Sequence, residues 1–148
     1  MPGEVIRLAL LSAHYRQPLD WSGETIESAR RMLDRLYGAV RGVDVSEEAR
    51  AAAEVPATLV EALEDDLNTP RAMAEFFALA RSLNKSDDAA EKAALAAQMR
   101  SAGDLIGLLG NDPETWFAGH VECDVSSDEV EALIAKRNEA RASKDWAA

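Results

Sequence analysis

Two apolar stripes of helical period, set back to back across Asp65-Asp66-Leu67-Asn68-Thr69-Pro70, restrict this chain more than any other feature. Upstream, Leu59, Val60, Leu63 and Leu67 recur at helical spacing; downstream, Met73, Phe76, Phe77, Ala80 and Leu83 do the same. Side chains so spaced share one side of a 3.6-residue helix, so two helices must pack against each other through a tight turn. Thr69 is the expected N-cap of the second helix, with Pro70 at the first helical position, where its missing N–H costs nothing. Asp65 and Asp66 precede the positive end of that helix, which tolerates their charge. On spacing alone the stretch is a structural turn and not an active site.

The remaining segments follow the same logic. Residues 4–13 read as a helix apolar nearly all round, with Val5, Leu8, Ala9 and Ser12 on one side and Ile6, Leu10 and Ala13 on the other, which assigns it to a core. Pro18 disfavours helical geometry at Gln17 and breaks that helix. Leu19 and Trp21 are expected to plug the core. His14 is expected to be structural, since no second His, Cys or carboxylate sits at ligand spacing. Ser22 caps a helix over 23–41 with the stripe Ile26, Ala29, Leu33, Leu36, Tyr37 and Val40. Arg30, Arg31, Arg35 and Arg41 lie mostly off that stripe. They read either as a solvated face paired with Glu27 and Asp34 or as phosphate contacts.

Gly42 ends that helix, Ser46 starts a short Ala-rich one, and Pro56 opens the helix that enters the turn. Ser86-Asp87-Asp88 caps a further helix whose buried side is Leu95, Met99, Ala102, Ile106 and Leu109, with Gly110 as its stop. The expected fold is all-α: an antiparallel bundle of four to five helices plus a truncated C-terminal helix. The expected division is a bundle over residues 1–110, a linker over 111–126 and a last helix over 127–148. In the linker, Asp112-Pro113 caps one turn that packs Trp116 and Phe117 back on the bundle. Ser126 and Glu129 form a capping box for the last helix. The first helix begins without a cap and the last ends without one, which reads as two cuts in a longer chain.

Composition agrees with helices and narrows the chemistry. A chain of 148 residues buries about 70% of its extended surface on folding; alanine, glutamate and leucine dominate, and β-branched runs are scarce. No apolar run approaches the roughly 20 residues of a membrane span, and no secretory pattern opens the chain. Cys123 is the single cysteine, which excludes an internal disulfide and fits a reducing, cytosolic setting. The net charge is −11, but unevenly spread: residues 1–44 balance to zero, 45–135 carry −13 and 136–148 carry +2. Such a chain can meet nucleic acid only through a limited face. There is no Gly-rich phosphate loop, and one Cys with two distant His supplies no zinc site. No cofactor or metal is therefore expected here.

Three stretches stand together in order: Leu11-Ser12-Ala13-His14-Tyr15-Arg16 with Pro18-Leu19-Asp20, then Asp65-Asp66-Leu67-Asn68-Thr69-Pro70, then Arg137-Asn138-Glu139-Ala140-Arg141 with Lys144-Asp145-Trp146-Ala147. In combination the chain resembles the C-terminal part of bacterial cysteinyl-tRNA synthetases. The resemblance implies a DALR-type helical bundle followed by the first helix of a small anticodon-binding module. It places the catalytic domain, with its ATP-handling motifs and a zinc that selects the cysteine thiolate, outside this chain, which is then catalytically silent by itself. The parent enzyme would join L-cysteine to tRNA(Cys) with ATP through a cysteinyl-adenylate, as a cytoplasmic monomer. The implied partners are tRNA(Cys) and that catalytic domain, with His14-Tyr15-Arg16 in contact with the latter.

Matching the family's motif residue by residue implies anticodon contact for Arg141 and Trp146, a guanidinium pairing with base edges and an indole stacking on a loop base. Arg137 and Lys144 would meet phosphates. Two alternatives remain open at this point. One is a related ligase that joins cysteine to an amino sugar, against which the Arg137-to-Trp146 stretch argues. The other is a protein-binding helical module, which the acidic middle keeps alive.

Overall fold

The computed structural model describes residues 2–119 and 127–143. The described residues form helices α1 (Gly3–Leu11), α2 (Gly23–Val40), α3 (Glu47–Ala52), α4 (Ala57–Glu64), α5 (Thr69–Lys85), α6 (Ala89–Ile106), α7 (Pro113–Ala118) and α8 (Ser127–Ser143), with no strand among them. The fold is all-α, as expected. The chain divides into two compact units, Met1–Phe117 and Ala118–Ala148.

In the first unit α4 packs on α5, α1 on α2 and α5 on α6, with α2 also against α5. Their shared core holds Leu8, Leu33, Leu36, Tyr37, Leu59, Phe76 and Met99. Short polar residues start these helices by accepting an otherwise unpaired N–H. Ser22 Oγ accepts from Thr25 N, Ser46 Oγ from Ala49 N, Asp88 Oδ1 from Glu91 N and Asp112 Oδ2 from Thr115 N.

The cap of α5 departs from expectation by one residue. Asn68 Oδ1 accepts from Arg71 N at 3.2 Å, and Thr69 is already helical. Thr69 Oγ1 instead donates to the Ala13 carbonyl at 3.3 Å. The cause is the backbone before it: Asp66 and Leu67 both take left-handed φ, +54° and +52°. That pair reverses the chain at once and delivers Asn68 to the capping position. Leu67 consequently leaves the apolar stripe and is 59% exposed. Asn68→Ala is expected to reduce stability by about 1 kcal/mol in urea unfolding at unchanged m-value, and Thr69→Ala by clearly less. The opposite order would return the cap to Thr69.

Three other expectations shift. Only Val5, Leu8 and Ala9 of α1 are buried, while Leu10 is 54% exposed, so α1 has one buried side and not two. Trp21 is half exposed and does not plug the core; it precedes the Ser22 cap, outside the face that α2 turns inward. Helix α6 stops at Ile106, three residues before the expected boundary. Gly107, at φ +71°, takes the left-handed cap, and its N–H and that of Leu108 both reach the Gly103 carbonyl. Leu108 and Leu109 then fold under the helix end and are buried.

Helix α7 packs Trp116 back as the sequence indicated. Its indole stacks on the Tyr37 ring, centroids 4.5 Å apart, and its N–H donates to Asp34 Oδ1 at 2.9 Å. Arg41 clamps Glu114 with two bonds of 2.7 and 2.6 Å and holds that carboxyl below its ordinary range. Beneath the stack, the Tyr37 hydroxyl donates to Glu4 Oε2 and accepts from Asn111 N. Burial, then the Glu4 hydrogen bond, pushes this hydroxyl up to about 12, so it stays a neutral donor. The other Glu4 oxygen accepts from Gly110 N at 2.9 Å.

Candidate nucleic-acid interface

Helix α8 carries the basic segment. Lys136 and Arg137 are exposed on it, and Arg141 follows Arg137 by four positions, about one turn on, in the same helix. Every side chain of α8 described here is exposed, including Leu133 at 63% and Ile134 at 42%. Lys144, Trp146 and the Ser126 end of the capping box lie outside the described residues, as does Cys123. Of the four residues the resemblance singles out, then, Arg137 and Arg141 share one helix, and Arg137 is open to solvent.

The first two motif stretches meet in space, which spacing could not foretell. Asp66 is the hub. Its carboxylate accepts from the Tyr15 hydroxyl at 2.7 Å and faces Arg16 Nη1 at 3.1 Å, and its carbonyl lies 3.1 Å from His14 Nε2. The His14 and Tyr15 rings stack at 4.8 Å, and the Arg16 guanidinium covers the far ring at 5.2 Å. The hydrogen bond to Asp66 raises the Tyr15 hydroxyl above its ordinary value. Arg71 Nη1 reaches Asp65 Oδ2 at 3.6 Å. Both oxygens of Asp66 are engaged, so this knot positions the α4–α5 turn against the exit from α1 and offers no free base.

The arginines of α2 separate. Arg41 is bound to Glu114, and Arg35 lies over the Phe77 ring of α5 at 5.5 Å. A cavity of about 300 Å³ at the start of α2 is lined by Ser12, Ser22, Thr25 and Met32. Three of its hydroxyls are spent on local backbone: Ser12 on the Ala9 carbonyl, Thr25 on the Asp20 carbonyl, Ser22 on the Thr25 N–H.

The DALR domain family matches residues 59–110. Along 99% of its length the chain is 54% identical to the cysteine–tRNA ligase of Parvibaculum lavamentivorans, 49% to that of Caulobacter vibrioides and 44% to that of Xanthomonas campestris. Along its length the chain is similar to the C-terminal region of cysteine–tRNA ligases. It spans 31–32% of the length of these relatives.

The DALR match begins in α4 and closes at Gly110, so it takes in the Asp66 turn, the Asn68 cap and the turn after α6. The other half of the Asp66 knot comes from residues 14–16, ahead of the matched segment. Among the described residues no three His, Cys, Asp or Glu side chains converge as a metal-binding set. No described helix is long and apolar enough to cross a membrane.

Proposed function

We propose that the chain is a non-catalytic tRNA-binding region of a cysteine–tRNA ligase, whose catalytic domain joins L-cysteine to tRNA(Cys) with ATP. The observation that carries this reading is 54% identity along 99% of the chain to a protein of that name. The charge distribution supports it: residues 136–148 carry +2 in a chain whose net charge is −11. In this reading residues 1–110 form the bundle, 111–126 the linker and 127–148 the opening helix of an anticodon module. Arg141 and Trp146 contact the anticodon, and Arg137 and Lys144 hold flanking phosphates. The region works in the cytoplasm as part of a monomer, beside a domain that supplies ATP and zinc chemistry, and the His14–Arg16 segment faces that domain.

The test is a titration of the 148-residue chain with a tRNA(Cys) transcript over a range of salt. Binding is expected to weaken linearly in log[salt], and Arg137→Gln to reduce the slope by about 1. Arg141→Ala is expected to lose about 1–3 kcal/mol and to relax the preference for the native anticodon over an altered one. Absence of binding at low salt, or an anticodon preference indifferent to Arg141, overturns the reading or that residue's part in it.

A further inference from the structure

We infer that residues 46–54, α3 with its flanks, are a salt-sensitive strap that opens from α6 as a unit while the bundle beneath stays folded. Its opening involves none of the residues assigned above to RNA.

The strap lies in the stretch of the first unit that is poorest in burial. From Arg41 to Thr58 no residue is buried, whereas every other helix of that unit buries at least two. Val43, Val45 and Val55 are partly buried against the core and root the stretch at its two ends. Between those roots α3 packs on α6 without sealing the contact. One cleft, of about 460 Å³, lies among Ala49, Ala52, Ala93 and Ala97. Another, of about 500 Å³, lies among Arg50, Ala51, Asp104 and Leu105. Helical period puts the two sets of α3 residues on opposite flanks of that helix. The apolar surface between the helices is mostly alanine, so lifting α3 forfeits little burial.

What holds α3 down is polar and comes from two residues of α6. The Ser101 hydroxyl lies 3.1 Å from the Arg50 carbonyl and 3.0 Å from that of Ala53. These belong to the last turn of α3, where carbonyls lack helical partners. Three places on, the Asp104 carboxylate accepts from Arg50 Nε at 3.1 Å and from Arg50 Nη2 at 2.7 Å. The pair is open to water, its side chains 35% and 50% exposed. An ion pair so placed is weak and is screened by salt. Elements with few buried apolar contacts open locally at a fraction of the global unfolding free energy. Here the opening uncovers Ala97, which is 2% exposed with α3 in place, and ionic strength sets how often that happens.

The experiment is native-state hydrogen exchange of the intact chain, read amide by amide over a urea series. The probes are the Arg50 and Ala53 amides, which donate to the Ser46 and Arg50 carbonyls. Both are expected to exchange at a rate nearly independent of urea, while core amides of α2 and α5 follow the full dependence of global unfolding. Ionic strength is then raised from about 0.01 M to about 1 M, which shortens the screening length from about 30 to about 3 Å. This is expected to speed the two probes by about 2–5-fold. Asp104→Asn is expected to speed them by a similar factor at low salt and to abolish the salt response; Ser101→Ala should speed them by roughly 3–10-fold. Probes that share the urea dependence of the core overturn the strap, since the segment then opens only with the whole unit. Urea-independent exchange that ignores salt and both substitutions also overturns it, as fraying without a latch. A response to Ser101→Ala alone overturns the control by salt.

Discussion

Trp116→Ala is expected to lower the unfolding free energy of the first unit by about 3–5 kcal/mol, the usual range for removing a buried tryptophan. The residue is 3% exposed, and its ring lies nearly parallel to that of Tyr37, 12° between planes. Deletion would empty the space over Tyr37 and leave Asp34 without the indole N–H it accepts. It would also detach α7 from α2 at its only deeply buried aromatic, with the exposed Arg41–Glu114 clamp left to hold it. Surface ion pairs contribute little, at most about 1 kcal/mol, so the clamp does not compensate. Thermal unfolding is expected to fall by on the order of 10–20 °C for a unit of this size. Trp116→Phe keeps the stack and removes the N–H, and is expected to lose only about 1 kcal/mol more than the volume change itself. A shift in Tm below a few degrees for the alanine variant would show that α7 is an ornament on the bundle.

Gly103→Ala is the second large effect, at about 3 kcal/mol, the upper end of the overpacking range. In an isolated helix this exchange stabilises by about 1 kcal/mol, so the expected sign is opposite to propensity. A Cβ on Gly103 would stand 2.6 Å from the Leu108 carbonyl oxygen and 3.2 Å from the Leu109 Cβ. The obstacle is backbone, and it cannot swing aside: Leu108 N is bonded to the Gly103 carbonyl at 2.8 Å. Relief requires the turn after α6 to open, which exposes Leu108 and Leu109 together. Urea unfolding checks the magnitude, and hydrogen exchange at Gly107 and Leu108 checks the location. A stabilised Gly103→Ala protein would mean that the turn is not seated on α6.

The contrast between that glycine and the helices around it marks how far the sequence could be read. Helix starts were legible because Ser22, Ser46, Asp88 and Asp112 each announce a single local bond to a residue three places on. Where two capping residues stood side by side, Asn68 and Thr69, local chemistry could not choose; the left-handed Asp66–Leu67 pair decided it. At the end of α6 Gly110 was the expected stop, and the packing of two leucines beneath the helix moves the cap to Gly107. Periodicity overstated α1, since apolar residues all round do not reveal which side finds a neighbour. The site divides similarly. That Arg137 and Arg141 share a helix was legible, because the residues around them favour one. The Asp66 knot joins residues about fifty positions apart, and the Arg41–Glu114 clamp joins residues 73 apart. Such pairings depend on tertiary placement, to which spacing along the chain is blind.

The Glu4 carboxylate, by holding the Gly110 N–H, sets the opening turn of the bundle beside its closing loop. That turn works as a latch, so removing the segment through Glu4 would release the loop whose Asn111 N–H the Tyr37 hydroxyl accepts.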